Sequence, residues 1–161
     1  MIIRKTTYAD VDAVAEIFEQ AKAFMRANGN HNQWNLGYPN RDTVIKDIEE
    51  GVGYVCEENG EILATFMFKI GEDKTYKIMY EGEWKNDKPY AAVHTVAVKK
   101  HGAGIVDFCL NECFKMYPNL KMDTHRDNIP MQKVLERCGF EYCGIIHIET
   151  GDERLAYQRT K

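Results

Sequence analysis

Val96-Ala-Val-Lys-Lys-His-Gly-Ala-Gly-Ile105 is the stretch that decides how this sequence folds, because it takes a buried strand through a glycine turn straight into a helix. The first backbone N–H groups of such a helix have no partner inside it, and the helix dipole adds positive potential, so the turn can bind an anion such as phosphate. Gly102 and Gly104 keep side chains out of the way, and Lys99-Lys-His101 adds positive charge. An ordinary strand-to-helix connection is the alternative interpretation of this turn.

The glycine pattern also limits which nucleotide folds fit. The third glycine of a dinucleotide-binding fingerprint is absent, and so is the Gly-Lys-Ser/Thr of a P-loop. A dinucleotide-binding oxidoreductase would further need an acidic residue for the ribose after a fuller glycine motif. We therefore rank that class of enzyme low.

The segments on both sides of the turn predict a mixed α/β domain. Apolar residues at helical spacing predict a helix that starts at Thr7 or Asp10 and ends at Asn28-Gly-Asn30. Asn59-Gly60 between two strand-like segments predicts a β-hairpin. No repeat or linker interrupts the chain, so residues 1–161 are expected to form one domain, with the element order β-α-α-β-β-β-α-β-α-β-β.

Composition excludes several classes of protein. The 161 residues are 44% hydrophobic with a formal net charge of -4, which argues against a sequence-independent grip on nucleic acid or on anionic lipid. No apolar stretch approaches the roughly 20 residues that a transmembrane helix needs, and the first residues lack the pattern of a signal peptide. Five cysteines without a Cys-x-x-Cys pair argue against a complete disulfide framework, and Cys109 and Cys113, four residues apart in a predicted helix, indicate core packing rather than zinc or redox chemistry. We expect a cytoplasmic protein with no metal site, no nucleic acid partner and no membrane partner.

Several motifs together resemble the GCN5-related N-acetyltransferase (GNAT) superfamily over essentially the whole chain. His94-Thr-Val-Ala-Val98 is similar to the central strand of that family, and the glycine turn to its pyrophosphate loop. Asp123-Thr-His-Arg-Asp-Asn-Ile-Pro-Met131 and Cys138-Gly-Phe140 resemble its late strand, its Asn-initiated helix and its Gly-Phe turn. The resemblance implies an α/β (α+β) fold: a mixed, mostly antiparallel central sheet with splayed central strands and helices on both faces.

The resemblance also implies acetyl-CoA as the acyl donor. Aligning the helices puts His101 at the Arg/Gln place of the loop, and an alternative register places Lys99 there instead. Backbone groups of Val96, Ala97 and Val98 would then pair with the pantetheine arm, and Asn128 would contact that arm from the opposite side. The pyrophosphate would lie on the loop and the start of the helix, at His101, Gly102, Ala103, Gly104, Ile105 and Val106.

The implied chemistry is direct attack of an amine on a thioester, which needs a base for the ammonium proton and benefits from an acid for the thiolate. His94 stands where many members carry a strand Glu, and an imidazole has a suitable unperturbed pKa near 6.5. A polar core residue is the alternative interpretation of His94. Leu135 falls where the family's usual Tyr acid stands, so Tyr142 or water is expected to substitute, unless the thiolate leaves unprotonated.

The acceptor that the resemblance leads us to expect is a primary amine of a small molecule or a peptide. Trp34 and Tyr38, in the polar segment between the first two helices, are candidates for one wall of its pocket, and an aromatic loop that covers the core is the alternative. Glu81 is a candidate for attracting a cationic amine, although a solvated hairpin explains it equally simply. A homodimer through a C-terminal strand or helix surface is consistent with this fold.

The sequence therefore predicts an acyl-CoA-dependent N-acetyltransferase. The alternative is a noncatalytic acyl-CoA-binding or protein-interaction module on the same fold, favoured by the missing Tyr and the altered pyrophosphate loop.

Overall fold

The computed structural model describes residues 1–34 and 37–161. Within them, seven strands and four α-helices follow one another in the predicted order. The elements are β1 (Ile2–Lys5), α1 (Val11–Ala27), α2 (Arg41–Glu50), β2 (Gly53–Glu58), β3 (Glu61–Ile70), β4 (Ala91–Val98), α3 (Ile105–Met116), β5 (Asn119–Thr124), α4 (Ile129–Arg137), β6 (Glu141–His147) and β7 (Glu153–Thr160).

All seven strands join one sheet in the order β1-β2-β3-β4-β5-β7-β6. Neighbouring strands are antiparallel except for β4 and β5, which are parallel. The predicted mixed, mostly antiparallel sheet is confirmed.

The parallel pair at the centre of the sheet separates along its length. β4 and β5 pair only at Ala91↔Leu120 and Ala92↔Lys121, although β4 continues to Val98. From that point the two strands diverge, as the resemblance implied, and they leave a slot between their C-terminal halves.

A β-bulge in β4 lies beside this slot. Its pairing with β3 shifts between Met67↔His94 and Thr65↔Ala97, and Thr95 takes a positive φ of 50°. Bulges redirect neighbouring side chains and recur beside active sites. Here the bulge follows His94 directly, so it sets the direction in which β4 leaves that residue.

Helices cover both faces of the sheet. On one face, buried residues of α3 and α4 such as Leu110 and Leu135 share a core with strand residues such as Phe66. On the other face, α1 packs its apolar stripe with α2 against β2 and β4, and part of the 71–90 segment forms a third core around Tyr76. Cys109 and Cys113, which were predicted to pack in the core, are both buried and free, as are the other three cysteines.

Local signals account for the element ends. The Asn40 side chain accepts a hydrogen bond from the Thr43 N–H at 3.1 Å and caps α2, and Gly51 ends that helix with a φ of 69°. Asn59 and Gly60 take the positive φ angles that the hairpin prediction requires. No helix in residues 1–34 or 37–161 is both long and apolar enough to span a bilayer.

Candidate active site

A cleft of about 600 Å³ lies where β4 and β5 separate, and both strands line it. β4 contributes Val93–Val96 and β5 contributes Met122–Thr124. Five of the residues predicted from the sequence meet here, namely Trp34, Tyr38, His94, Val96 and Asn128. Asn35 and Leu36, in the same predicted loop, lie outside the described residues.

His94 stands between two carboxylates in this cleft. Its Nε2 is 2.7 Å from Asp73 Oδ2, and its Nδ1 is 3.8 Å from Asp123 Oδ2. Because an ionised carboxylate only accepts hydrogen bonds, Nε2 carries the hydrogen in the first contact. Asp123 is itself held by the Tyr76 hydroxyl, which donates to Oδ2 at 2.7 Å. Nδ1 is therefore the ring nitrogen that remains available to a ligand.

These carboxylates set the protonation of His94. Burial by itself lowers the pKa of the imidazole, but the hydrogen bond with Asp73 and the negative charges of Asp123 and Asp73 outweigh burial and raise the pKa above its ordinary value. Burial also works against the ionised form of Asp73, yet the bond to His94 holds the pKa of Asp73 well below its usual range. A carboxylate that fixes one ring nitrogen and strengthens the basicity of the other is the arrangement expected of a general base.

Four carboxylates line the cleft, and sequence reasoning proposed none of them for the acceptor site. They are Asp47, Asp73, Asp123 and Glu149. Burial, with the charge of Glu50, raises the pKa of Asp47 to about 6. Glu81, the residue proposed from the sequence to attract a cationic amine, is instead exposed with a φ of 53° and lies outside the residues that line the cleft.

The structure does not bring Tyr142 to His94. Tyr142 lies on β6, at the edge of the sheet, with 52% of its surface exposed and its ring against Tyr157. It is not among the residues that line the cleft, so its predicted role as the acid has no support in this arrangement. Leu135, at the place of the family's acid, is fully buried in the core.

The glycine turn presents an open helix N-terminus. Gly102 and Gly104 have φ angles of 80° and 73°, and a Cβ added to either would meet nothing within 4 Å among the described residues. Gly104 precedes α3 and offers no capping side chain, so the first N–H groups of that helix stay available to an anion. Ala103, Ile105 and Val106 complete this turn and the start of α3.

The positive charge near the turn is smaller than the sequence suggested. Lys99 Nζ is 2.6 Å from Glu61 Oε2, so that lysine is already paired. The His101 ring stacks on Phe24 with centroids 3.4 Å apart, and burial lowers its pKa, which favours the neutral form. Lys100 is exposed and makes no ion pair with any described residue. The groups left to attract an anion at the turn are therefore Lys100 and the backbone N–H groups.

Two buried hydroxyls in the cleft have no hydrogen-bond partner among the described residues. They belong to Thr95, at the bulge of β4, and to Thr124, at the end of β5. Buried polar groups in native structures are nearly always paired with protein, ordered water or a ligand, so these two hydroxyls are free to bond a water or a ligand in the cleft. Val96, Ala97 and Val98 follow Thr95 along the edge of β4 that faces the slot.

Gln33 connects the two helical ends of the cleft. Its Oε1 accepts hydrogen bonds from Asn30 Nδ2 and from Asn128 Nδ2, both at 2.8 Å. Asn128 Oδ1 also caps α4 by accepting from the Met131 N–H at 3.1 Å. One N–H of the Asn128 amide thus remains for the predicted contact with a ligand. Trp34 packs edge-on against Phe18 of the core, so it is both a lining residue and a core residue.

The described residues of this region do not form a set of side chains that could ligate a metal ion. Among residues 1–34 and 37–161, no group of three or more His, Cys, Asp and Glu side chains is placed to hold a metal ion.

Solved structures that share this fold include several named as acetyltransferases. An acetyltransferase of the GNAT family from Streptococcus agalactiae is 31% identical over 99% of this chain and 95% of its own, with a TM-score of 0.91. A ribosomal-protein-alanine N-acetyltransferase from Brucella melitensis matches all of both chains at 19% identity and a TM-score of 0.66. The protein yncA from Salmonella typhimurium, solved with its cofactor acetyl-CoA, covers 99% of this chain and 92% of its own at 17% identity and a TM-score of 0.66. No protein-family model matches the sequence, and no curated protein does.

Proposed function

Because the chain belongs to the GNAT family of acetyltransferases, we propose that it transfers the acetyl group of acetyl-CoA to a primary amine of a small molecule or peptide, with His94 as the base. The observation that carries this proposal is the Asp73–His94–Asp123 arrangement in the cleft between the splayed strands.

The slot and the glycine turn fit an acyl-CoA. The unpartnered Thr95 and Thr124 hydroxyls and the edge of β4 from Val96 to Val98 suit the polar pantetheine arm. The open N-terminus of α3, with its unobstructed Gly102 and Gly104, suits the pyrophosphate. Bound there, acetyl-CoA would supply the thioester that is attacked.

The residues of the cleft can deliver the amine in its reactive form. An amine arrives mostly as the ammonium at neutral pH, and the four carboxylates favour that cation. His94 Nδ1 can then accept the proton, because Nε2 is held by Asp73. The neutral amine left behind is the nucleophile. Its attack on the thioester carbonyl forms the C–N bond and leaves a positive charge on nitrogen. When the C–S bond breaks, water takes the second proton from nitrogen, and with Leu135 in place of a phenol the thiolate leaves unprotonated or takes its proton from water.

Turnover with a panel of primary amines, followed by release of the free thiol of CoA, tests this function. Calorimetric titration with acetyl-CoA should run beside it on the same protein. Acetyl-CoA binding together with amine-dependent thiol release supports the transferase. Tight binding without release for any amine would instead support the noncatalytic acyl-CoA-binding module, for which the buried Leu135 is the specific structural argument.

A further inference from the structure

A buried arginine lines the same cleft as His94 and the carboxylates. Arg154, on β7, is only 5% exposed, and its guanidinium donates to two main-chain oxygens, Gln33 O at 3.0 Å and Glu153 O at 2.9 Å. A guanidinium has five N–H donors, so three remain. No carboxylate among the described residues lies within ion-pair distance of it.

This lack of a counter-charge is unusual for a buried cation. Buried charges in proteins are normally paired, because removing an ion from water costs several kcal/mol. Burial lowers the pKa of Arg154, and the charges of Asp123 and Asp152 oppose that effect. An arginine remains charged in proteins. A charged, buried guanidinium with spare N–H donors in a ligand cleft is suited to a carboxylate, because it can bind the two carboxylate oxygens through two parallel hydrogen bonds.

The sheet register places Arg154 close to the groups that would receive the amine. Asp123 on β5 pairs with Ala156 on β7, so Arg154, two residues before Ala156, lies diagonally across from Asp123 on the same face of the sheet. Diagonal neighbours of this kind are about 7–8 Å apart. His94, which accepts the proton, lies next to Asp123. The cleft therefore presents an anionic subsite and a cationic subsite at a separation that one small molecule can span.

From this juxtaposition we propose that the acceptor is a small amino acid-like molecule, whose carboxylate binds Arg154 while its amino group faces His94 and Asp123. This inference rests on the proposed acetyltransferase function and narrows its acceptor. The carboxylates at the His94 end select the ammonium, and Arg154 selects the other end of the same molecule. A simple diamine lacks the group that Arg154 binds, and an amino acid amide lacks its charge.

Matched substrates test this inference. The twenty L-amino acids, the corresponding amino acid amides and diamines of two to five carbons would each be offered with acetyl-CoA, and thiol release would be measured. We expect at least one free amino acid to have a kcat/KM roughly 10- to 100-fold above that of its amide, which is the range for a hydrogen-bonded charge pair. If amides or diamines are turned over as efficiently as the best amino acid, the inference is wrong, but the proposed acetyltransferase function still stands. If no amine is acetylated, both the proposed acetyltransferase function and this inference are wrong.

The variant Arg154→Gln, together with Arg154→Lys, separates a binding role from a structural one. We expect Arg154→Gln to raise KM for the preferred amino acid by roughly 10- to 100-fold while KM for its amide and the affinity for acetyl-CoA stay unchanged. Arg154→Lys keeps the charge but not the fork, so it should recover part of the loss. Arg41→Gln, which removes a charge from an exposed pair with Asp12, is the matched control.

If Arg154→Gln lowers activity equally for the amino acid and its amide, Arg154 only supports the main chain at Gln33 and the inference is wrong. If both Arg154 variants fail to fold, the comparison of amino acids with amides in the unaltered protein still decides it.

Discussion

At the scale of single residues, His94 draws its chemical character from groups that are distant in the sequence. Asp73 lies 21 residues before it and Asp123 lies 29 residues after it, yet the three side chains meet in one cleft. The two carboxylates raise the pKa of the imidazole, so His94 is a stronger base than a free histidine. The same shift means that its neutral, proton-accepting form appears only at a higher pH.

Replacement of His94 tests its role as the base. We expect His94→Gln to lower kcat/KM by roughly 10²-fold and to abolish the limb of the pH–rate profile that rises with pH, while acetyl-CoA affinity stays unchanged. Steady-state kinetics across pH and calorimetry would measure these three quantities. Full activity with the same limb would make His94 a structural residue.

Replacement of Asp73 tests whether its carboxylate raises the pKa of His94. In the unaltered protein, the rising limb should lie above pH 6.5, because the raised pKa keeps His94 protonated to higher pH. Asp73→Asn removes the hydrogen-bonded charge, so the pKa of His94 should fall and the limb should move to lower pH. Glu72→Gln is the matched control, because Glu72 is an exposed neighbour that pairs with Lys77. This substitution should leave the limb in place. If the limb does not move in Asp73→Asn, the carboxylate of Asp73 does not set the pKa of His94.

At the scale of elements, the site depends on what strands and helices leave unpaired. β4 and β5 pair at only two positions and then separate, and α3 begins with uncapped N–H groups after Gly104. In an ordinary sheet the strand groups would bond the neighbouring strand, and the first N–H groups of a helix are commonly capped by a side chain. Here they remain for a long ligand that carries both amide and phosphate groups.

A matched pair of variants tests the turn before α3. Gly104→Asp and Gly104→Asn place side chains of nearly equal size at a φ of 73°, which both residues tolerate better than most. Only aspartate adds negative charge beside a bound pyrophosphate. We expect Gly104→Asp to bind acetyl-CoA at least tenfold more weakly than Gly104→Asn, which is about 1.4 kcal/mol. Equal calorimetric affinities of the two folded variants would argue against a pyrophosphate at this turn.

At the scale of the whole molecule, one polar cluster joins the first strand, the first helix and the hairpin. Arg4 on β1 bonds Asp10 at 2.7 and 2.9 Å and Glu57 of β2 at 3.0 Å, and Asp10 also accepts from the Thr7 N–H. The Arg4 guanidinium holds the pKa of Asp10 at about 2. This cluster fixes the start of α1, and α1 in turn packs against the sheet beside the cleft.

The cluster should contribute stability that depends on pH. A carboxyl whose pKa is lower in the folded chain stabilises the fold above its unfolded pKa, and that stability is lost as pH falls through its folded pKa. We expect Asp10→Asn to lower the free energy of unfolding by about 2 kcal/mol at pH 7, with the difference shrinking between about pH 4 and pH 2. Urea unfolding at several pH values measures this. Asp12→Asn, at an exposed carboxylate, is the control, and a pH-independent difference for Asp10→Asn would contradict the ion pair.

The sequence by itself determined the elements and their order, because those depend on neighbours within a few residues. The Asn59-Gly60 turn and the glycines around α3 act through local backbone geometry, and the structure has each of them where the pattern predicts. The splayed central strands followed from the family resemblance.

Only the tertiary structure decided which side chains share the cleft. Arg154 reaches the main chain at Gln33 across 121 positions of sequence, and Asp123 meets His94 only because β5 lies beside β4. Glu81 and Tyr142, chosen for their chemistry and approximate position, do not line the cleft, because Tyr142 lies on the edge strand β6 and Glu81 follows Tyr80, which bridges to that same strand. Local patterns do not encode such distances, since they arise from strand order and register over the whole sheet. The sequence therefore determined the elements and their order, and the sheet's long-range pairing decided which side chains meet in the cleft.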